Sequence, residues 1–149
     1  LLRTAPDHDY IKILRDAWDG HLIVKGVMCP DDAVPLEGLG VDAAWVSNHA
    51  GRQFAGSPGA IDMLPAVRAA TKLPLIFDSG IEGGLDILRA LALGADFVML
   101  GRAWHYALGA IGTRGPKHIY EMLVDDLKSN MIQIAATELN ELPNLLYRP

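Results

Sequence analysis

The segment SNHAGRQ, which runs from Ser47 to Gln53, places a base and a guanidinium group three residues apart. His49 can take up or release a proton near neutral pH. Arg52 can hold a carboxylate through two parallel hydrogen bonds, which orients a bound acid better than a lysine would. The pair indicates a loop that binds a small acid and removes a proton from it. Spacing alone leaves the alternative of two surface side chains in an ordinary loop.

Two later turns have the composition of an anion site. DSGIEGG, from Asp78 to Gly84, joins an apolar run to a helical pattern, and LGRA, from Leu100 to Ala103, adds a glycine and a fixed positive charge. Glycine lets backbone N–H groups approach an anion, and a helix N-terminus attracts it. As a pair the turns predict a phosphate cradle, although each alone is typical of a tight βα turn.

Lys25 interrupts an otherwise apolar run and therefore needs either a carboxylate partner or a negatively charged ligand. Cys29 has no base assigned to it and is interpreted as an inert thiol. The five histidines lack the close i, i+3 or i, i+4 spacing of metal ligands, so no metal site is predicted.

Composition narrows the class of protein. The chain has 149 residues, of which 50% are hydrophobic and 21% charged, so it forms at most one soluble globular domain and neither a disordered chain nor a spanning helix is predicted. A single cysteine forms no internal disulfide, which favours the cytosol. A net charge of -5 without a basic cluster argues against nucleic acid and leaves small molecules as partners.

Short apolar runs alternate with helical patterns, which predicts four βα units and a parallel sheet. Strands are expected over His21–Val27, Ala43–Ser47, Leu73–Asp78 and Ala95–Leu100. The first is short, rich in branched residues and bounded by turns, which predicts a buried strand. Helices are expected after a cap at Asp7 or Asp9, weakly over Asp31–Gly38, over Ala60–Thr71, Leu85–Leu93 and Trp104–Ala110, and from near Pro116. Gly94 is expected to cap the C-terminus of the Leu85–Leu93 helix. The pattern fits a doubly wound sheet or part of an eight-stranded barrel. In both, ligands bind at the carboxyl ends of strands, where the polar residues above fall.

With these motifs in this order, the sequence resembles the FMN-dependent 2-hydroxy-acid dehydrogenases and oxidases, a family that includes L-lactate dehydrogenase, glycolate oxidase and mandelate dehydrogenase. The resemblance rests on LIVKGV, VSNHAGRQ, IDMLPAV, FDSGIEGG, LALGAD and MLGRAW, and the tail ELPNLLY is most similar to bacterial lactate dehydrogenases. It implies a TIM (β/α)8 barrel in which residues 1–149 form the C-terminal half, strands five to eight, of one domain. The chain also lacks an initiator methionine, so we expect the N-terminal half to be missing.

The resemblance also implies roles. His49 would be the base that takes the substrate proton, and Arg52 would bind the substrate carboxylate. Lys25 and Ser47 would contact the flavin ring of FMN. The ribityl phosphate would be held by Asp78, Ser79, Gly80, Ile81, Glu82, Gly101 and Arg102. The reaction would be oxidation of an L-2-hydroxy acid, with L-lactate as the expected substrate, to the 2-oxo acid. A homo-oligomer is expected, in the cytoplasm or peripheral at the cytoplasmic face of the inner membrane.

Three residues depart from the family pattern. Ala50 and Ser79 stand where glycine is usual, and Glu82 stands where an arginine usually contacts the phosphate, so Arg102 would carry that charge alone. The family's N-terminal half supplies the aspartate that pairs with the histidine, so His49 should be a poorer base without it. Two alternatives are therefore kept: a non-catalytic phosphate- or flavin-binding half-barrel, and another FMN barrel enzyme.

Overall fold

A computed structural model describes residues 6–147 and shows a four-stranded parallel sheet. Its strands are β1 (Ile23–Lys25), β2 (Ala43–Val46), β3 (Leu75–Phe77) and β4 (Phe97–Val98), in the order β1-β2-β3-β4. A doubly wound sheet reverses its strand order at a switch point. The order here does not reverse, so the barrel alternative is favoured.

Helices join the strands as the periodicity predicts. They are α1 (His8–Ala17), α2 (Pro30–Ala33), α3 (Ala60–Ala70), α4 (Gly84–Ala92), α5 (Arg102–Ile111) and α6 (Gly115–Gln133), with 3-10 turns at Val34–Leu39, His49–Gly51, Gly112–Arg114 and Leu139–Leu145. Asp7 caps α1 by accepting a hydrogen bond of 2.9 Å from the Tyr10 N–H. Gly94 follows α4 at a φ of 108°, as its predicted capping role requires. Among the described residues, no helix has both the length and the hydropathy that a membrane crossing requires.

The two faces of the sheet differ in burial because side chains alternate along each strand. One face packs under the helices and carries the buried side chains of Ala44, Val46, Leu75 and Phe77. The opposite face carries a row formed by Lys25, Trp45, Ile76 and Phe97, which are partners across the strands. Phe97 is 60% exposed. Within residues 6–147, Trp45 and Ile76 are half-buried, so this second face is only partly covered.

The prediction of a buried strand over His21–Val27 was wrong in extent and in burial. Only Ile23–Lys25 pairs in the sheet, and Ile23 is 45% exposed. Gly26, at a φ of 97°, ends the strand, and the N–H groups of Gly26 and Val27 both donate to the Trp45 carbonyl. The branched apolar run indicated burial on two faces, whereas β1 is an edge strand with one uncovered face.

An arginine clamp closes the loop between α1 and β1. The Arg15 guanidinium donates to the carbonyls of Trp18 and Gly20 and forms an ion pair with Asp42, which precedes β2. Asp42 Oδ2 accepts a hydrogen bond of 2.7 Å from the Leu22 N–H. That hydrogen bond is the main reason why the pKa of Asp42 lies below its ordinary value.

The same clamp recurs between α3 and β3. The Arg68 guanidinium donates to the carbonyls of Thr71 and Leu73 and pairs with Asp96, which precedes β4. Asp96 Oδ2 accepts from the Leu75 N–H at 2.8 Å. In both clamps the carbonyls lie three and five residues after the arginine and the N–H seven residues after it. The two helix–strand units are therefore structural repeats, each followed by an LG(V/A)D sequence.

Candidate functional site

An open cavity of about 800 Å³ lies at the carboxyl ends of the strands. The end of β1 and the loops after β2, β3 and β4 contribute to it, so residues far apart in sequence share one cavity. Ten of the eleven residues predicted for the site line this cavity: Lys25, His49, Arg52, Asp78, Ser79, Gly80, Ile81, Glu82, Gly101 and Arg102. The exception is Ser47.

Lys25 ends β1 with its ammonium group fixed by several partners. Its Nζ atom lies 2.8 Å from Ser47 Oγ and 3.3 Å from Asp78 Oδ2. It also lies 4.9 Å from the ring centroid of Trp45, its cross-strand partner, which is within the range of a cation–π contact. The lysine therefore has the carboxylate partner that the sequence required and still lines the cavity.

Ser47 follows β2 and is buried, with 1% of its surface exposed. Its Oγ atom accepts hydrogen bonds from Lys25 Nζ and, at 3.1 Å, from the His49 N–H. The structure thus gives Ser47 a role in holding Lys25 and the His49 backbone, and does not place it on the cavity wall.

His49 begins a turn with an uncommon backbone. His49, Ala50 and Gly51 have φ angles of 55°, 56° and 72°, so three consecutive residues lie in the left-handed region. That region costs a residue with a Cβ roughly 1–2 kcal/mol, which explains why glycine is favoured at position 50. The Ala50 side chain is exposed in the cavity, so its methyl group is accommodated by the turn.

Arg52 is fixed near its backbone, whereas the end of its side chain is available to a ligand. Its Nε–H and its backbone N–H donate to the His49 carbonyl at 3.3 and 3.2 Å. The terminal guanidinium N–H groups have no partner within residues 6–147. These groups have the geometry that pairs with a carboxylate in two parallel hydrogen bonds.

The turn after β3 is left-handed at Ser79 and Gly80, with φ angles of 84° and 85°. Ser79 Oγ donates to Asp78 Oδ1 at 2.8 Å and accepts from the Ala50 N–H at 3.2 Å. A Cβ atom at Gly80 would meet no atom within 4 Å, so this glycine serves the backbone angle and leaves the turn open to the cavity.

The predicted phosphate cradle is partly occupied by carboxylates of the chain itself. Asp86 Oδ2 accepts from the Glu82 N–H at 3.2 Å, and Asp126 Oδ2 accepts from the Gly84 N–H at 2.5 Å. Within the described part of the chain, the N–H groups of Gly80 and Ile81 have no hydrogen-bond partner. These two groups are therefore available to an anion, whereas the N–H of Glu82 is not.

Arg102 supplies the positive charge at the same end of the cavity. It is the first residue of α5 after the N-cap Gly101, it is exposed, and it forms no ion pair within residues 6–147. The acidic residue Glu82 lines the same cavity. The cradle therefore combines a guanidinium group and backbone donors with one opposing charge.

The far wall of the cavity consists of residues that the sequence did not single out as a site. They lie on α5 and α6 and include His105, Tyr106, His118 and Met122. Tyr106 lies four residues after Arg102, a spacing that places both on one face of a helix. That spacing is the signal that would have identified it.

Comparisons with known proteins give one family. Residues 1–148 match the family model described as FMN-dependent dehydrogenase. The chain is 40% identical over 131 residues to the L-lactate dehydrogenase of Chromohalobacter salexigens, which covers 87% of this chain and 33% of that protein. The L-lactate dehydrogenase of Pseudomonas aeruginosa gives the same identity over 87% of this chain and 34% of its own length.

Solved structures agree with the sequence relatives. A soluble mutant of the membrane-associated (S)-mandelate dehydrogenase from Pseudomonas putida superposes with a TM-score of 0.90 at 35% identity, covering 96% of this chain and 41% of that one. A protein from Pediococcus acidilactici described as a lactate oxidase gives 0.89 at 34% identity, over 94% and 40%. The chain thus spans about a third of the curated relatives and about two fifths of the solved chains.

Proposed function

Because the chain belongs to the family of FMN-dependent dehydrogenases, we propose that it forms the C-terminal half, strands five to eight, of a TIM (β/α)8 barrel that oxidises an L-2-hydroxy acid, L-lactate, to the 2-oxo acid. The sequential order of its four parallel strands and the share of its relatives that it spans support this. The observation that carries the proposal is that one cavity holds His49, Arg52, Lys25 and Arg102.

The exposed inner face supports the half-barrel. Side chains such as Phe97 project from it, and the rest of a barrel would cover them.

FMN fits the donors of this cavity. The Lys25 ammonium group would hold the flavin ring at one end, and the N–H groups of Gly80 and Ile81 together with Arg102 would hold the phosphate at the other. Glu82 opposes the phosphate charge without blocking these donors. When bound, FMN supplies the acceptor for two electrons from the hydroxy acid.

Residues of this chain would bind the substrate, accept its proton and stabilise the developing charge. Arg52 would bind the substrate carboxylate through its open guanidinium edge and so orient the acid toward His49. A ring nitrogen of His49 would take the proton that the acid gives up. Lys25, fixed by Ser47 and Asp78, would present a positive charge where negative charge develops during the reaction.

One observation favours a second candidate, a non-catalytic half-barrel that binds FMN or a phosphorylated ligand. Within residues 6–147, no carboxylate forms a hydrogen bond with the His49 ring, and a base without such a partner is weaker. A different FMN barrel enzyme is a third candidate, and the SNHAGRQ loop argues against it.

Flavin reduction in the full-length protein tests the proposal. We expect L-lactate, added without oxygen, to bleach the flavin absorbance of the wild type. His49→Gln should slow bleaching by roughly 100-fold or more, and Arg52→Lys should mainly raise the lactate concentration needed. Asp125→Asn, an exposed change on α6, is the control. Flavin that binds but is not reduced by any 2-hydroxy acid would support the half-barrel candidate instead.

The proposal extends to assembly and location. We propose a homo-oligomer located in the cytoplasm, with peripheral membrane contact. The last part is supported by the membrane-associated mandelate dehydrogenase among the solved relatives.

A further inference from the structure

Two backbone N–H groups of the His49 turn are held by two serine hydroxyl groups. The His49 N–H donates to Ser47 Oγ at 3.1 Å, and the next N–H along the chain, that of Ala50, donates to Ser79 Oγ at 3.2 Å. Ser47 follows β2 and Ser79 follows β3, so the turn is anchored to two neighbouring strands.

The two serines are themselves joined by the Lys25–Asp78 ion pair. Lys25 Nζ donates to Ser47 Oγ at 2.8 Å and lies 3.3 Å from Asp78 Oδ2. The other carboxylate oxygen, Asp78 Oδ1, accepts from Ser79 Oγ at 2.8 Å. Because His49 and Ala50 are consecutive, these contacts close a ring of hydrogen bonds between the ends of β1, β2 and β3.

The ring explains why the turn keeps an unfavourable backbone. His49 and Ala50 both carry a Cβ at positive φ, a conformation that persists only where surrounding contacts hold it. Ser79 itself has a φ of 84°, and its hydroxyl group accepts the hydrogen bond from the Ala50 N–H. Within residues 6–147 the Ala50 N–H has no other partner.

We propose that Ser79 is a positioning residue that holds the imidazole of His49 in place through the Ala50 N–H. The contact depends on the hydroxyl group of Ser79 and on the backbone of Ala50, so glycine at position 79 would remove it. This inference rests on the proposed function insofar as it concerns turnover, whereas the contact between the two residues is independent of it.

The test compares two substitutions that remove the hydroxyl group but differ in backbone effect. Ser79→Ala keeps a Cβ at positive φ, and Ser79→Gly relieves that strain, so the melting temperature of Ser79→Gly should be the higher. In the full-length protein loaded with FMN, we expect both to accelerate hydrogen exchange at the Ala50 amide by roughly ten-fold. Ser129→Ala, an exposed serine change on α6, should leave that amide unchanged.

Turnover adds a second readout. Both variants should lower kcat by about ten-fold and should also raise the KM for lactate, because the peptide group that carries the Ala50 N–H also carries the His49 carbonyl that holds Arg52. An unchanged Ala50 exchange rate in either variant overturns the proposal. So does a change that appears in Ser79→Ala alone, because it would follow stability and not the lost hydroxyl. If the wild type oxidises no 2-hydroxy acid, the proposed function fails, and the exchange measurement still decides the role of Ser79.

Discussion

Lys25 and Asp78 occupy equivalent positions in the two repeated helix–strand units and form an ion pair with each other. Each lies ten residues after the arginine of its unit, at the carboxyl end of β1 and β3 respectively. Their Nζ and Oδ2 atoms are 3.3 Å apart across β2, with the side chains 34% and 20% exposed. The repeat thus places opposite charges at matching positions, and the cavity lies where they meet.

This ion pair predicts a non-additive effect on FMN affinity. Lys25→Met should weaken FMN binding by about ten-fold or more, because it removes the ring contact and leaves Asp78 without its cation. Asp78→Asn should weaken it less, and the double variant should lose less than the sum of the two. Fluorescence titration of FMN into the four apoproteins measures the coupling. Strict additivity would contradict a direct pair.

Glu82 predicts that FMN affinity can be raised. Glu82→Arg replaces an opposing charge with a positively charged hydrogen-bond donor to the phosphate. We expect the dissociation constant of FMN to fall by roughly ten-fold, with a smaller fall for Glu82→Gln. The gain should shrink in high salt because the site is exposed. Asp125→Arg on α6 makes the same change in charge away from the cavity. An equal gain in that control would show a net-charge effect and not a local contact.

The repeated clamps predict matched losses of stability. Arg68→Ala removes two carbonyl contacts and an ion pair, and Arg15→Ala removes three carbonyl contacts, one of them to Gly40, and an ion pair. Each variant should lower the free energy of unfolding by about 2 kcal/mol. Arg89→Ala, whose arginine side chain is 60% exposed in a pair with Asp86, should cost no more than about 0.5 kcal/mol. Urea unfolding of the full-length variants compares them. Equal losses for all three would show that the clamps add nothing.

Acid should weaken the contact between the turn before β2 and the end of α3. The N–H of Lys72 and the hydroxyl of Thr71 donate to Glu37 Oε1 at 2.5 and 2.7 Å, and they lower the pKa of Glu37 below its ordinary 4.5. A carboxylate with a lowered pKa stabilises the fold above its unfolded pKa and loses that contribution as the pH falls through its folded pKa.

We therefore expect Glu37→Gln to reduce stability at neutral pH and to flatten the decline of the melting temperature below about pH 4.5. Melting curves from pH 7 to about pH 3 measure this difference between wild type and variant. Glu121→Gln, an exposed change on α6, is the matched control. A Glu37→Gln curve parallel to the wild-type curve would argue that the lowered pKa does not contribute.

Several elements followed from local sequence alone. The α3 and α4 ranges, the Asp7 cap and the Gly94 stop depend on spacing and on the properties of single residues, so the sequence predicts them to within a residue or two. The placement of polar residues at strand ends follows from alternation along the chain. The eleven site residues were predicted from the family resemblance together with this placement, and ten of them line one cavity.

Other features depend on which elements lie next to each other. The hydrogen bonds of the Leu22 N–H, the Ser47 hydroxyl group and the Gly84 N–H join residues that lie 20 to 42 positions apart in the chain. The two arginine clamps share a spacing that is visible in the sequence. Their structural role is seen only in the folded chain, where each arginine contacts backbone carbonyls and a carboxylate.

The sequence by itself determined the family, the four βα units and the chemistry available at the site, because residue type and short-range spacing carry that information. Only the tertiary structure decided which groups hold one another: that Lys25 pairs with Asp78, that Ser79 reaches Ala50, and that Asp126 accepts from the Gly84 N–H in the phosphate turn. The physical reason is that a hydrogen bond or ion pair acts over about 3 Å, and chain folding alone determines which distant residues come that close.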